Sequence, residues 1–250
     1  MLLALETSSA VGSVAVACGR DVLGRGWLLQ RGEHASALIP QIATTLEEAG
    51  VKRKDIEGLL VGRGPGSFTG LRIAAATARG LAKALGVPLW HFSSLATGAA
   101  SLGVKMPESL WNHQGVISSE LSDAAVAWPR YVLLDAGSDR VYAACYGLLS
   151  DRIETLIEPT ACTLSDVLGA WIPESSLFCG SAALRHAAVI ADAGHVVLPF
   201  PAGLPTAEGL LRVHRLSVGE EPVSGRSQWE PEYLRASSAV RPAVSHGMHA

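Results

Sequence analysis

Short apolar runs separated by turn residues open the chain and predict a series of β-strands. The runs at Leu2–Ser8, Ser13–Cys18 and residues 22–29 each have the length of a strand, and Gly19–Asp21 has the composition of a hairpin tip. The chain is therefore predicted to begin with three strands joined by tight turns.

Helical and strand-like spacing alternate in the next seventy residues or so. Residues 34–50 carry apolar side chains three and four positions apart, which predicts a helix with one buried face. These side chains belong to Leu38, Ile42, Leu46 and Ala49. A second helix is predicted over Gly70–Leu85, with short strands before and after it at Gly58–Gly64 and Pro88–Phe92.

The second half of the chain repeats this order of elements. Its predicted elements are strands at Tyr131–Gly137, Arg140–Leu149 and 152–158, a helix at 163–171, a strand at 176–180, a helix at 181–194, a strand at 195–200 and a helix at Thr206–Gly219. Because the order strand–strand–strand–helix–strand–helix–strand occurs twice, we predict an α/β fold of two tandem lobes, each a mixed sheet flanked by helices. The predicted boundaries are 1–100 for the first lobe, 101–129 for a linker, 130–219 for the second lobe and 220–250 for an extension with a disordered tail.

The composition allows a sizeable core and argues against several classes of function. Apolar residues make up 48% of the 250 residues, and the formal net charge is −3. Because Lys and Arg contacts to phosphates dominate unaided nucleic-acid binding, a chain without a basic run is not expected to bind tRNA strongly by itself. The start of the chain lacks the basic region of a signal peptide, and no uncharged run is long enough to span a membrane. We therefore expect a cytoplasmic protein without membrane contact.

The four cysteines, Cys18, Cys145, Cys162 and Cys179, lie far apart in the sequence. They form no CxxC pair and have no cysteine–histidine spacing typical of a zinc site. We expect buried, reduced thiols and no metal site.

The segment GRGPGSFTGLR, residues 62–72, is the most distinctive stretch of the chain. It lacks the GK[ST] ending of a Walker A loop and the acidic partner of a dinucleotide-binding fingerprint. A proline between two glycines stiffens the turn, and Ser67 or Thr69 can cap the helix that follows. We predict a structural glycine loop that turns a strand sharply into a helix lying very close to another element. The loop residues are Gly64, Pro65, Gly66, Ser67, Thr69 and Gly70.

Both predicted helices of the first half carry more apolar surface than packing on one sheet requires. An apolar stripe of little over about 100° suffices for such a helix. Residues 71–85 contain only four polar side chains, and Ile39 and Ala43 flank the apolar face of the earlier helix. Two explanations are open: the surplus is covered by the second lobe or the last helix, or it is an interface for another protein.

Five motifs, in this order, resemble the bacterial TsaB (YeaZ) family within the actin, Hsp70 and sugar-kinase superfamily. They are LALETSS at 3–9, GEHASALIPQI at 32–42, GRGPGSFTGLRIAAATARGLA at 62–82, LLDAGSDRVYAA at 133–144 and PEYLR at 231–235. The resemblance covers residues 1–95 well and the second lobe more thinly. It implies an actin/Hsp70-like (ASKHA, ribonuclease-H-like) fold for each lobe.

The resemblance also implies a part in making threonylcarbamoyladenosine at position 37 of tRNA. Members of the family pair with a catalytic TsaD-type subunit and, with a TsaE-type ATPase, form the working complex, so this chain would meet tRNA only indirectly. It would act as a non-catalytic scaffold and activator, and as a homodimer when alone. The implied partner-binding residues are Ile39, Ala43, Leu46, Arg72, Ala75, Ala76, Arg79 and Lys83. Arg72 would reach an acidic residue of the partner or Glu33.

The catalytic relative carries two metal-binding histidines in an NHxxGH stretch, and the same register places Ser94 and Gly98 here. Neither side chain can replace imidazole as a metal ligand, so no metal and no catalysis by the chain alone are expected. A free-standing ATP-dependent small-molecule kinase of the same superfamily and a regulatory binding protein stay open as alternatives.

The sequence defines a nucleotide-binding site less sharply than it does the missing metal ligands. In the superfamily, an acidic residue and a hydroxyl-rich turn after the first strand hold phosphates, so the resemblance suggests a residual phosphate site. The matching residues are Glu6, Thr7 and Ser8 in the first lobe and Asp135, Gly137 and Ser138 in the second. The other interpretation is two capped hairpin turns, because Asp, Ser and Gly are ordinary turn residues. We expect no firmly bound cofactor, and at most weak ATP or ADP binding at the lobe cleft or the heterodimer interface.

Overall fold

Two five-stranded sheets of the same topology organise the protein, and each is mixed. A computed structural model describes residues 1–29, 34–104, 106–107, 128–223, 231 and 234. Most of the predicted linker and of the predicted tail lies outside these residues, as does Glu33, and the predicted boundaries stay predictions.

The first sheet has the strand order β3-β2-β1-β4-β5, and the second has the equivalent order β8-β7-β6-β9-β10. In each sheet the first three strands pair antiparallel and the other two add in parallel. The strands are β1 (Leu2–Glu6), β2 (Gly12–Cys18), β3 (Asp21–Leu28), β4 (Gly58–Gly62), β5 (Leu89–Phe92), β6 (Arg130–Gly137), β7 (Arg140–Leu148), β8 (Ile153–Thr163), β9 (Leu177–Cys179) and β10 (Val196–Val197). The predicted fold class is confirmed.

Helices cover both faces of each sheet. They are α1 (His34–Glu48), α2 (Phe68–Leu85), α3 (Ser94–Ala100), α4 (Leu164–Leu168), α5 (Ser181–Arg185), α6 (Ala187–Asp192) and α7 (Ala207–Leu216), with a 3₁₀ turn at Arg53–Asp55. The single helix predicted over 181–194 is therefore two short helices, separated at His186, whose backbone is not helical. Helix α3 was not predicted at all.

The strict alternation of side chains along β1 gives the first sheet two different buried faces. Leu3 and Leu5 pack with α1 and α2 on one side, whereas Ala4 belongs to the core on the other side. Both faces are therefore apolar, and β1 is covered on each of them.

Two helices lie between the sheets, and each packs mainly on the sheet of the other half of the chain. Helix α3 follows β5 but packs on β6 and β7, whereas α7 follows the second sheet and packs on β1, β2 and β4. The helices also contact each other. A continuous core of residues from both lobes results, and the last helix, predicted within the second lobe, contributes to the first.

Glycines in β3 allow α1 to lie close to the edge of the first sheet. A Cβ added at Gly24 would stand 2.9 Å from the Thr45 carbonyl oxygen of α1, and one at Gly26 would overlap the Thr45 and Gln41 side chains. Real Cβ atoms do not approach so closely, so glycine at both positions is a packing requirement. The position of α1 is thereby fixed.

The expectation of buried, reduced thiols holds for three of the four cysteines. All four thiols are free, as expected, but only Cys145, Cys162 and Cys179 are buried, and Cys18 is exposed. Burial raises the pKa of Cys145 and Cys179 to about 12 and that of Cys162 to about 11. No helix in the described part of the chain combines the length and the apolar character needed to cross a bilayer.

Candidate functional site

Helices α1 and α2 lie side by side on the outer face of the first sheet and expose an apolar surface there. Ile39 is 64% exposed and Phe68 52% exposed, although both are large apolar side chains. We call a set of seven exposed residues on the two helices the α1–α2 face. It comprises Ile39, Ala43, Phe68, Arg72, Ala76, Gly80 and Lys83. Among the described residues, neither the second lobe nor α7 covers this face.

Two residues predicted to bind a partner are buried within the chain instead. Leu46 is 5% exposed and packs in the core between α1 and the first sheet, and Ala75 is 3% exposed. These two predictions are corrected, because a partner cannot reach either side chain on this face. Arg79 is half-buried.

Arg72 stacks on the first turn of its own helix. Its guanidinium carbon lies 3.7 Å from the centroid of the Phe68 ring, four residues earlier, in a cation–π contact. The contact holds the aromatic ring and the charged guanidinium together on the surface of the helix. Glu33, one of the two partners predicted for Arg72, is outside the described residues.

Gly80 stands in the interior of α2 with no neighbour within 4 Å of an added Cβ. Glycine costs roughly 1 kcal/mol relative to alanine in a helix interior, and its own chain gives no packing reason for that cost. With Ala76 one turn earlier, it forms a shallow strip on which another backbone could come close.

The glycine loop rests directly on the turn that follows β1. A Cβ at Gly66 would overlap the Ser8 carbonyl oxygen, and one at Gly70 would overlap the Thr7 carbonyl oxygen. The Ser67 amide donates to the Ser8 carbonyl at 2.7 Å, and the Thr7 hydroxyl donates to the Gly70 carbonyl at 2.7 Å. Because Gly70 belongs to the first turn of α2, the element predicted to lie very close to that helix is the Thr7–Ser8 turn.

Of the two capping residues considered for α2, the structure uses Ser67. Its side chain accepts a hydrogen bond from the Gly70 amide at 3.2 Å, so the helix begins at Phe68, two residues earlier than predicted. Pro65 and Gly64 are buried, joined by a cis peptide bond, and Thr69 is exposed. The Gly64 carbonyl accepts from the Ser94 amide at 2.7 Å, which ties the loop to α3.

Glu6 is enclosed under the glycine loop and has no exposed surface. Its carboxylate accepts hydrogen bonds from the Ser8 amide at 2.7 Å and from the Ser94 hydroxyl at 3.2 Å, and a Cβ at Gly62 would overlap it. Burial raises the pKa of the Glu6 carboxyl above its ordinary value of 4.5, although the hydrogen bonds oppose the rise. The carboxyl thus holds a turn rather than facing an open site.

Glu6→Gln is expected to change how stability depends on pH. The raised pKa means that Glu6 contributes stability that is complete below pH 4.5 and is lost as the pH rises through the folded-state pKa. The amide keeps the shape and can still pair with Ser8 and Ser94, so the variant should gain stability relative to the wild type toward neutral pH. One pKa unit corresponds to about 1.4 kcal/mol. Urea unfolding of both proteins from about pH 4.5 to 8 measures the difference in stability. Parallel curves of stability against pH would contradict a raised pKa for Glu6.

The equivalent turn of the second lobe has the same local geometry but a different environment. The Asp135 carboxylate accepts a hydrogen bond from the Gly137 amide at 2.8 Å, just as the Glu6 carboxylate accepts one from the Ser8 amide. Its carboxylate is half-exposed and pairs with Arg185 at 2.6 Å. Ser138 adopts a positive φ of 47° in the tight turn. Both acids therefore stabilise turns, as the second interpretation held, and a residual phosphate site stays a prediction.

A cavity of about 740 Å³ lies between the lobes. Its walls come from the loop after β4, the end of β5, the β7–β8 hairpin and the end of α7, and they include Arg63, His91, Ser93, Tyr146 and Glu158. None of the six residues predicted for a phosphate site lines it. The volume falls within the range of small-molecule sites, so weak nucleotide binding in this cleft stays an open prediction.

The two positions that carry metal-binding histidines in the catalytic relative are occupied by packing residues. Ser94 is fully buried and donates to Glu6. A Cβ at Gly98 would stand 2.5 Å from the Gly203 carbonyl oxygen, so an imidazole does not fit there. Among the described residues, no three His, Cys, Asp or Glu side chains are grouped so that they could hold a metal ion.

Comparison with known proteins agrees with this architecture. The family model for TsaD, the tRNA N6-adenosine threonylcarbamoyltransferase, matches residues 29–186. The Escherichia coli tRNA threonylcarbamoyladenosine biosynthesis protein TsaB is 27% identical over 95% of this chain and 96% of its own length. YeaZ from Pseudomonas aeruginosa has a TM-score of 0.71 and 28% identity, covering 93% of this chain and 99% of that one. The chain belongs to this family, on its TsaB (YeaZ) branch.

The sequence resemblance is thus confirmed. The Haemophilus influenzae TsaB protein is 38% identical, but only over 94 residues, which is 38% of this chain and 39% of that protein. The α1–α2 face and the glycine loop both belong to the first lobe.

Phe68 and Gly80 belong to the α1–α2 face but were not among the predicted partner-binding residues. A signal was present for each: Phe68 precedes Arg72 by one helical turn, and Gly80 interrupts a helix of good helix formers. Helix α3 could have been found from Ser93, whose hydroxyl caps it by accepting from the Ala96 amide at 3.4 Å.

Proposed function

We propose that this chain is the non-catalytic subunit of a tRNA threonylcarbamoyladenosine-forming complex and docks a TsaD-type catalytic subunit through the α1–α2 face. The observation that carries the proposal is the uncovered apolar surface of two adjacent helices in a member of this family. A TsaE-type ATPase would complete the cytoplasmic assembly. The chain's part is to hold the catalytic subunit in its active arrangement.

The shape of the face favours a pair of helices as the partner surface. Ala43, Ala76 and Gly80 present small or absent side chains, so a second backbone can approach closely and its side chains can fill the strip. Ile39 and Phe68 flank these residues as large apolar anchors. Burying each of them fully contributes about 1.5–3 kcal/mol, which is typical of the few residues that dominate an interface.

The charges along α2 favour an acidic rim on the part of the partner that meets this helix. Arg72, Arg79 and Lys83 lie along α2, whose first turn carries no acidic residue. Rim charges of this kind contribute more to the rate and selectivity of docking than to its affinity. A second copy of this chain would present the same cations on its own α2. A homodimer through this face is therefore a competitor of the heterodimer and would give way to it.

The packing at Ser94 and Gly98 supports the proposal that the partner carries out catalysis. The Ser94 hydroxyl donates a hydrogen bond to Glu6, and Gly98 has no room for a larger side chain. Restoring a pair of histidines at these positions would require moving α3 away from the second lobe. The transfer chemistry is accordingly proposed to belong to the TsaD-type subunit.

Reconstitution tests the proposal. The full chain is mixed with a TsaD-type subunit, a TsaE-type ATPase, tRNA, ATP and the threonylcarbamoyl donor, and modified adenosine is measured in digested tRNA. Product should form only when this chain and the catalytic subunit are both present, and the two should co-elute on size exclusion. Product formed by this chain without the TsaD-type subunit, or complete independence of this chain, would refute the proposed role.

A further inference from the structure

Four arginines from two distant parts of the chain meet on one surface. Arg20 and Arg25 lie at the tip and on the second strand of the β2–β3 hairpin, and Arg212 and Arg215 lie on α7. Arg215 donates to the Arg20 carbonyl at 3.0 Å, and Arg25 and Arg212 both bind the Glu208 carboxylate, at 2.7 and 2.8 Å. These bonds fix the four residues in one group, called here the arginine cluster.

The cluster carries an excess of positive charge in a chain whose net charge is −3. Glu208 is 8% exposed, and although burial raises its pKa, its bonds to Arg25 and Arg212 hold that pKa below the ordinary value of 4.5. This single buried carboxylate is shared by two arginines. Asp21 is the other acidic residue of the β2–β3 hairpin and α7, so these two elements together carry four arginines and two acids.

Two of the four arginines, Arg25 and Arg212, bind the Glu208 carboxylate, and the other two, Arg20 and Arg215, meet through a backbone carbonyl. Arg212 also donates to the carbonyls of Ala100 and Leu102 beyond the end of α3, at 3.1 and 2.6 Å. Arg20 is exposed and Arg215 is half-buried, and Arg215 uses one guanidinium nitrogen for the Arg20 carbonyl. Burial lowers the pKa of Arg215, and the neighbouring charges of Arg212 and Arg20 lower it further. The folded chain therefore maintains a repulsion that a bound anion would relieve.

The cluster lies on the opposite side of the first sheet from the α1–α2 face. Gly24 and Gly26 of β3 face α1, so Arg25, between them, points to the other side of the strand. Helix α7 packs on that same side, against Ala4 and Ala15. A partner bound to α1 and α2 therefore leaves the cluster accessible.

We propose that the arginine cluster binds RNA phosphates, with Arg20 and Arg215 making the contacts and Arg25 and Arg212 holding the platform. Guanidinium groups present paired N–H donors that match two phosphate oxygens, which makes arginine well suited to such contacts. The proposal rests on the proposed function, in which the partner complex acts on tRNA. Two contacts give weak binding by the chain alone, in accord with its lack of a basic run, and matter once the catalytic subunit also holds the tRNA.

The test compares two double variants of the full chain in complex with the TsaD-type subunit. Arg20→Gln/Arg215→Gln removes two charges of the cluster and leaves the bonds of Arg25 and Arg212 to Glu208 intact. Arg53→Gln/Lys54→Gln removes the same charge from the exposed 3₁₀ turn. Affinity for an unmodified tRNA transcript is measured over a range of salt concentrations. The first variant should bind about tenfold more weakly at low salt, with a log–log salt slope shallower by about one to two, whereas the control should match the wild type.

Cys18 supplies an independent position-specific readout. It is the exposed cysteine, two residues from Arg20, and the three buried thiols have raised pKa values that slow their modification. A thiol-linked photocrosslinker at Cys18 should capture tRNA in the complex. The same label in a Cys18→Ser/Ala188→Cys chain, on helix α6, should not.

The outcomes separate this proposal from the proposed function. Equal tRNA binding by wild type and the Arg20→Gln/Arg215→Gln variant, or equal losses in both double variants, would overturn the phosphate site while co-elution with the catalytic subunit stays intact. Loss of co-elution in the first variant would overturn it too, because the cluster would then be a protein interface. If the wild-type chain itself bound neither the TsaD-type subunit nor, together with it, tRNA, the proposed function would be refuted instead.

Discussion

Placing one charge on the α1–α2 face, as Ala76→Glu or as Ala43→Arg, is expected to weaken binding of the TsaD-type subunit by at least about a hundredfold. Both alanines are exposed in the single chain, so either substitution should leave its folding unchanged. At the interface, however, each larger side chain would enter a strip with room only for small residues, and its charge would lose its water, which together cost several kcal/mol. Titration calorimetry or surface-immobilised binding measures the affinity, and chemical unfolding of each variant checks the fold.

The two substitutions are tested singly, because together they could form an ion pair. The matched controls are Ala188→Glu and Ala191→Arg, which place the same charges at exposed positions of α6 in the second lobe. The controls should bind the catalytic subunit as the wild type does. Wild-type affinity of either α1–α2 variant would show that the docking surface lies elsewhere.

The second large effect is expected at the glycine loop, where Gly70→Ala should destabilise the chain by about 3 kcal/mol or more. The new Cβ would overlap the Thr7 carbonyl oxygen, which is backbone and cannot rotate away. Relief would require separating the loop from the β1–β2 turn. That movement would disrupt the hydrogen bond from the Thr7 hydroxyl to the Gly70 carbonyl.

Gly80→Ala is the matched control, because it makes the same chemical change ten residues later in the same helix. An added Cβ at Gly80 meets no atom within 4 Å, so alanine should stabilise the chain by about 0.5–1 kcal/mol through its better helix propensity. Urea unfolding followed by circular dichroism gives both values. Equal stability of Gly70→Ala and the wild type would mean that the loop does not rest on the Thr7–Ser8 turn.

The order of elements and the family could both be predicted, because each depends on short-range patterns. Strand-length apolar runs, the helical spacing of Leu38 and Ile42, and the cap at Ser67 are local features that the structure retains. The repeat of element order predicted two equivalent sheets, and their strand orders are equivalent. Boundaries failed where the local signal was weak, as at His186, which divides a predicted helix in two.

The partner-binding residues were only partly predictable, because helical spacing gives a stripe but not its direction. Leu46 and Ala75 lie on apolar helices like Ile39 and Ala76, yet the first two are buried and the last two are exposed. For α1 the difference depends on how the helix turns against β3, to which the close contacts of Gly24 and Gly26 contribute.

The sequence by itself determined the strands and helices, the glycine loop and the surplus of apolar surface on two neighbouring helices, since all of these follow from residues close together along the chain. Only the tertiary structure decided which of those apolar residues stay exposed, that α3 and α7 cross between the sheets, and that Arg20 and Arg25 meet Arg212 and Arg215. The physical reason is that burial and electrostatic proximity depend on distances in space. Nearly two hundred residues of chain separate groups that folding brings within about 3 Å.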